Sequence, residues 1–345
     1  MDSIASLIES SRKVILDCVM PNGAVIAANP GMPYYPKNVS NYHYVWPRDV
    51  AFVLAAAKIL KISNIDKKFV KWLLERAEGF SDTGIIYQRY AVNGARDTEF
   101  GGQCQPDQAG ALIWALLQYP LDDDSRKVIC LLADGLCSIW KGQKFIIAVH
   151  DLWEERNVES EDNVFSYTLA ACITGLRLAS EKFNNPKWGK IADEMHASMS
   201  RCEASFFPRV CNHPDLHIDG SLLGLVWPFK IEDLRVFASI KRIEERLLTP
   251  SGILRYENDI YDGIVDHTKL RNSGAGGWPL LTYWYIIALS KLDRKAEAKK
   301  LFESYSKNFQ SYIPEQLHSN PKPSISPLLW SHCMFVLAAK ELGYI

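Results

Sequence analysis

VAFVLAAAKIL at positions 50–60 is followed at once by IDKKFVKWLLERAEG at positions 65–79, and the contrast between the two stretches decides the fold. The first is apolar nearly all round, so a helix built from it must be enclosed by protein. The second has one apolar stripe and one charged face, so it belongs on the outside. The contrast repeats along the chain. Positions 109–118 (AGALIWALLQ), 164–178, 279–289 and 326–339 continue the enclosed kind, and 222–229 is a shorter, poorer example. Positions 3–19, 125–140, 186–202, 231–247 and 294–309 continue the amphipathic kind.

The two kinds alternate for about twelve helices in all. Neighbouring helices joined by short turns pack antiparallel. Alternation of enclosed and half-enclosed helices then gives two concentric rings, an all-α (α/α)6 barrel. An irregular helical solenoid alternates in a similar way, but no strict repeat is visible. Asn185 followed by Pro186 reads as an N-cap with a first-turn proline, and Asp293 as the cap of the next outer helix. Inner-to-outer links such as 61–64 and 290–293 are short, whereas outer-to-inner links are long and rich in Trp, Tyr, Gly and charge. Long loops of that composition inside a compact domain point to function. They should gather at one end of the barrel, above the N-termini of the inner helices.

Bulk properties exclude several classes. The chain has 345 residues, 48% apolar and 23% charged, with a net charge of -1. Nothing there attracts nucleic acid or an anionic membrane. No apolar run reaches the roughly 18–20 residues of a membrane span, and the N-terminus lacks the basic start and apolar core of a secretory signal. The eight cysteines form no CxxC pair. Cys130, Cys137, Cys172 and Cys333 sit in apolar helical stretches, where a thiol behaves as a small hydrophobe. The expectation is a cytoplasmic protein with reduced cysteines. His43, His150, His213, His217, His318 and His332 show no HExxH or comparable spacing, which argues against a metal enzyme.

Three loop segments carry chemistry. NYHYVWPRD at 41–49 offers aromatic faces for pyranose rings and an Arg–Asp pair for hydroxyls; a helix-capping pair over packed aromatics is the plainer reading. HDLWEERN at 150–157 sets adjacent carboxylates beside a Trp, and an apolar neighbour raises a carboxyl pKa as a general acid requires; a solvated charge cluster with Glu159, Glu161 and Asp162 is the alternative. SYIPEQLH at 311–318 holds one carboxylate after a rigid proline and is followed by LLWSH at 328–332; an ordinary surface Glu fits equally.

YHYVWPRD, DLWEE and PEQ, in this order and each just before an apolar helix, resemble glycoside hydrolase family 15. This is the glucoamylase family, which also includes glucodextranases and some trehalases. The resemblance runs from the GAVIAA of positions 23–28 to Trp330-Ser331-His332. It implies the (α/α)6 fold, Glu154 as catalytic acid and Glu315 as catalytic base. It implies that Glu155 contacts substrate, that Arg48 and Asp49 hold the non-reducing glucose, that Tyr42 and Trp46 line that subsite, and that Trp153 is among the substrate-binding residues. Arg255 and Tyr256 match another substrate-contacting pair, Trp278 an aromatic of the same loop, and Trp330 a Trp at the pocket floor. The activity implied is inverting hydrolysis of α-linked glucosides with release of β-D-glucose from the non-reducing end, with no metal or organic cofactor.

Two departures bear on the substrate. Gln105 and Asp107 match the family's Q-x-D segment, yet Gly101 stands where glucoamylases carry a Trp beside the acid, with Phe100 a partial substitute at best. Asp107 reads equally as a helix cap. The whole chain, 1–345, is expected to be one catalytic barrel, with neither an N-terminal β-sandwich nor a starch-binding domain. Small soluble di- or oligosaccharides therefore fit better than granular starch. Trehalose is a rival substrate, and a non-catalytic sugar-sensing relative, like the phosphorylase kinase regulatory subunits, is a rival function. The segment 205–223 should close part of the pocket, with Asp219 a caging residue or an N-cap. Oligomeric state is not legible.

Overall fold

The computed structural model describes residues 2–98, 103–154, 164–212, 216–259, 261, 275–318 and 324–345. In chain order the helices are α1 (Asp2–Asp17), α2 (Pro47–Ile59), α3 (Ile65–Glu75), the single turn α4 (Phe80–Thr83), α5 (Pro106–Leu116), α6 (Asp123–Ile139), α7 (Ser166–Phe183) and α8 (Pro186–Ser200). A 3-10 helix, η1 (Gly220–Leu225), follows, then α9 (Arg235–Arg246), α10 (Pro279–Lys291), α11 (Lys295–Ser306) and α12 (Leu329–Leu342). Two-residue strands pair antiparallel, the first of them β1 (Tyr44–Val45) with β2 (Tyr90–Ala91).

The inner members contact one another in a closed circuit: α2 with α5, α5 with α7, α7 with η1, η1 with α10, α10 with α12, and α12 back to α2. An open solenoid has no such last contact. Around this ring α1, α3, α6, α8, α9 and α11 pack outside, and the fold is the (α/α)6 barrel expected from the alternation. The burial follows the sequence pattern. In α10 every residue from Pro279 to Leu289 is buried, whereas α9 buries only Val236, Ser239, Ile240 and Ile243.

Two local expectations change. The fourth inner helix shrinks to η1, because Pro228 cannot donate a helical hydrogen bond and disfavours helical geometry at the residue before it. There the backbone lies so close to the ring that a Cβ on Gly224 would stand 2.7 Å from Tyr167 and 3.1 Å from Trp284. Asp293 does not cap α11; it takes φ 62° in the turn, and Arg294 is the cap residue. Asn185 does cap α8, accepting from the Lys187 amide at 3.2 Å.

The inter-helix links keep the expected asymmetry, so the long loops meet where the inner helices begin. Trp46, Gln105, Asp219 and Trp278 are the N-cap residues of α2, α5, η1 and α10. Inner-helix N-termini therefore converge on one face and favour negative charge there.

Candidate active site

That face holds one connected network of buried polar and aromatic side chains. Arg48 and Asp49 lie in the first turn of α2, 4% and 7% exposed. Arg48 Nη1 donates to Gln105 Oε1 at 3.1 Å and stands 3.6 Å from Asp107 Oδ2, while its Nε is 3.5 Å from Asp49 Oδ1. The guanidinium also sits 5.2 Å from the Trp330 ring centroid. Burial pulls the Arg48 pKa down, but Asp49, Asp107 and Glu154 outweigh it and the cation is held. Burial raises Asp49 to about 7 and Asp107 to about 6, against the pull of Arg48. Asp107 neither caps α5 nor reaches the surface; it is the buried counter-charge of Arg48.

The second loop presents Glu154 with φ 62°, a left-handed conformation that costs a non-glycine residue energy and is enriched at functional sites. Its Oε1 accepts from Trp46 Nε1. The preceding Trp153 is held by its own indole, which donates to both Asp219 carboxylate oxygens at 3.0 and 2.9 Å. Asp219 also caps η1 through the Ser221 amide at 2.7 Å, so it is an N-cap and a brace for the acidic loop at once. Burial raises it to about 6. Arg209 Nε donates to Asp151 at 2.9 Å and stands 3.5 Å from Asp219, tying both carboxylates together.

Glu315 is 1% exposed. Its loop is pinned by backbone bonds, Glu315 N to Ile325 O at 2.8 Å and a reciprocal pair between Leu317 and Gly277 at 2.8 and 3.1 Å. His332 of α12 accepts from the Ile313 amide through Nε2 at 2.9 Å, and its Nδ1 meets Ser11 Oγ at 2.9 Å. Burial lowers His332 to about 3, which keeps the ring neutral and fit for that acceptor role. Tyr42 donates to Glu315 Oε1 at 2.8 Å and contacts Tyr261 Oη at 3.3 Å. Burial raises Glu315 to about 7; Tyr42 and Arg255 oppose this, Glu154 and Asp259 add to it. The Tyr42 and Trp46 rings are 5.3 Å apart, so an aromatic pair spans from one candidate carboxylate to the other.

Arg255 closes the ring of contacts. It makes a two-pronged bond to Asp259, 2.7 Å on each arm, and lies 4.6–5.7 Å from the centroids of Tyr261, Tyr256, Trp278 and Trp153. Trp278 and Trp153 are 5.6 Å apart. Every site residue expected from sequence thus joins this network except Glu155, which lies outside the described residues, as do Phe100 and Gly101. Sequence reasoning gave no role to Tyr261, Asp259, Arg209 and Asp151. Asp151, inside the DLWEE motif, carried a local signal, Asp259 lies four residues after Arg255, and Arg209 falls in the 205–223 segment.

Several buried polar atoms in the network have no hydrogen-bond partner among the described residues: Asp49 Oδ1, Glu315 Oε2, and the indole nitrogens of Trp278 and Trp330. Buried polar atoms are nearly always bonded, so their concentration at one place suits a polyhydroxylated ligand. A separate groove of about 550 Å³ lies near the opposite end of α10, lined by Leu225, Val226, Ile231, Leu234 and Leu292 among others. It is mainly apolar, and its Asp233 is already bonded to Arg235, so the candidate acid and base lie apart from it, on the loop face. Among the described residues no helix is long and apolar enough to cross a membrane.

No family model matches the chain. It is 28% identical over 382 residues to an uncharacterized glycosyl hydrolase of Methanocaldococcus jannaschii, covering 99% of this chain and 56% of that protein. It is 24% identical over 320 residues to a trehalase of Thermoplasma acidophilum, covering 82% and 52%. The chain thus spans about half the length of these curated relatives. Among solved structures, a wild-type glycosidase superposes with TM-score 0.78 at 20% identity, covering 100% of this chain and 99% of that one. A bacterial glucoamylase complexed with acarbose gives 0.70 at 20% identity, covering 97% and 55%. The fold is therefore that of the glucoamylase- and trehalase-like glycosidases.

Proposed function

We propose that the protein is an inverting glycoside hydrolase that releases β-D-glucose from the non-reducing end of small α-linked glucosides. The observation that carries the reading is the placement of Glu154 and Glu315 at the two ends of the Trp46–Tyr42 pair, on the face where the inner helices begin. The glycosyl hydrolase and trehalase relatives and the glycosidase neighbours support it.

Glu154 is the general acid. Its Oε1 is occupied by Trp46, so Oε2 carries the proton to the glycosidic oxygen. Glu315 is the general base. Tyr42 holds Oε1, and Oε2 takes a proton from water attacking the opposite face of the sugar. An inverting pair stands roughly 6.5–9.5 Å apart to admit that water. Arg48 and Asp49 bind hydroxyls of the terminal glucose over Trp330, and Arg255 with its surrounding rings closes the side of the pocket. The family resemblance assigns Glu155 a further substrate contact. The work of the site is positioning and proton transfer, worth about 10²–10⁴-fold per acid or base group. A trehalase is the second reading, favoured by the Thermoplasma relative.

Proton NMR of maltose, isomaltose and trehalose, each incubated with wild type and with Glu154→Gln, tests the proposal. β-Glucose released first by wild type and not by the variant is the expected result, and the substrate that yields it names the linkage. From maltose or isomaltose, α-glucose as the first product of the attacked unit overturns inversion. Trehalose, whose leaving glucose is itself α, must give α and β in equal amounts, and α-glucose alone overturns inversion there. No turnover by folded wild type shifts the reading to a sugar-sensing relative.

A further inference from the structure

Arg89 belongs to none of the sequence motifs, yet it stands beside the residue that holds the acid. Val45 pairs with Tyr90 across β1 and β2, which sets Arg89 next to Trp46 at the start of α2. Its guanidinium carbon lies 4.6 Å from the Tyr44 ring centroid and 5.3 Å from that of Trp46. Nε donates to Asp97 Oδ2 at 2.5 Å, and Nη2 is 2.5 Å from the same oxygen. The side chains of Arg89 and Asp97 are only 11% and 7% exposed. A plain ion pair across the tight turn in which Tyr90 and Arg96 bridge explains the bond to Asp97. It does not explain why the cation is spread over the one indole whose N–H reaches Glu154.

We propose that Arg89 is a positioning residue for the general acid, acting through Trp46. Packed against the indole and clamped by Asp97, it fixes the ring so that Nε1–H stays on Glu154 Oε1 and Oε2 is left to carry the proton. A cation on the ring face also draws density from the indole and strengthens its N–H as a donor. The planar guanidinium is needed for both the stack and the bond, so Lys is a poor substitute. The inference rests on Glu154 being the acid.

The test uses leaving groups of different need. A disaccharide departs as an alcohol and requires the proton from Glu154; α-D-glucosyl fluoride departs as fluoride, a stable anion that requires it far less. Kinetics are measured on both with wild type, Arg89→Leu and Arg89→Lys, the disaccharide being whichever of maltose, isomaltose and trehalose the wild type cleaves. Arg89→Leu should lower kcat on the disaccharide by about tenfold to a hundredfold, the scale of a displaced catalytic group, with KM nearly unchanged and kcat on the fluoride nearly unchanged. Arg89→Lys should recover part of the loss, and Arg89→Leu should add little in a Trp46→Phe background. Equal loss on both substrates, or none on either, overturns the proposal. A readout independent of turnover is the side-chain N–H resonance of Trp46 in ¹⁵N-tryptophan-labelled protein, identified by its loss in Trp46→Phe. It should move in Arg89→Leu as the bond to Glu154 loosens, and an unmoved resonance refutes the positioning role. If wild type cleaves neither substrate class, the assigned activity fails, while this resonance still decides whether Arg89 holds the indole.

Discussion

Tyr42 donates its hydroxyl proton to Glu315 Oε1 at 2.8 Å, joining the first long loop to the last across 273 positions of sequence. The bond favours the ionised carboxyl, and so does Arg255; both act against burial, which brings Glu315 to about 7. A base works only when ionised, so kcat/KM should be lost as pH falls through about 7. Tyr42→Phe removes one support of the ionised form and should move this acid limb to higher pH. The pH profile of kcat/KM for the two proteins measures it. A limb that stays in place would belong to another carboxyl, with Asp49, also raised to about 7, the first candidate.

The same buried carboxyl should cost stability. Its folded pKa is above the ordinary value, so its contribution to stability is greatest at low pH and is lost as pH rises through about 7. Glu315→Gln cannot ionise, yet keeps an oxygen for Tyr42. The variant should be more stable than wild type above pH 7 by about 3 kcal/mol, since each tenfold change in an ionisation constant corresponds to about 1.36 kcal/mol, and should show no gain near pH 4. Urea unfolding at the two pH values reads the difference. Hydrolysis should fall by about 10²–10⁴-fold in the same variant, a trade of stability against activity at a working site.

Arg255 and Asp259 form a buried pair, with Arg255 4% and Asp259 6% exposed. Breaking a buried ion pair by removing one partner typically costs about 3–5 kcal/mol, which is the loss of stability expected of Asp259→Ala. Because the guanidinium also stacks on Trp153, Tyr256, Tyr261 and Trp278, the loosened Arg255 should raise KM for the sugar. Thermal unfolding together with KM checks this; a destabilised variant with unchanged KM would make the pair purely structural.

What the sequence made legible was whatever has a period or a local motif. α2, α5, α7, α10 and α12 were readable because each is apolar on all sides, and the three carboxylate-bearing loops because each precedes such a helix. η1 was poorly readable because a short, glycine-containing 3-10 turn has no helical period to detect. Asp259 and Tyr261 were missed for a different reason. Tyr261 earns its place through a contact across loops, with Tyr42, and Asp259 through Arg255 four residues back, a spacing that marks no pair in a loop without helical period. The left-handed φ of Glu154 is equally invisible, since a Glu gives no sign of it as a Gly would.

Gly110 in α5 offers a test in which two ordinary rules oppose each other. On an isolated helix Gly→Ala stabilises by about 1 kcal/mol, since alanine loses less backbone entropy. Here a Cβ on Gly110 would lie 2.2 Å from the Ala171 carbonyl oxygen of α7, and one on Gly175 would lie 2.7 Å from the Gly110 Cα. Those neighbours are backbone, so no side chain can swing away, and α5 and α7 would have to separate. Overpacking of this kind costs about 1–3 kcal/mol, occasionally more, and with backbone on both sides the upper end applies. Gly110→Ala should therefore destabilise by about 2 kcal/mol despite the better helix former. The same shift should reach the site, because Gln105 and Asp107 at the start of α5 hold Arg48. Urea unfolding gives the sign, and KM for the sugar reports the displacement of Arg48. A stabilised variant would mean that the two inner helices part at little cost and that their close approach does not set the width of the ring.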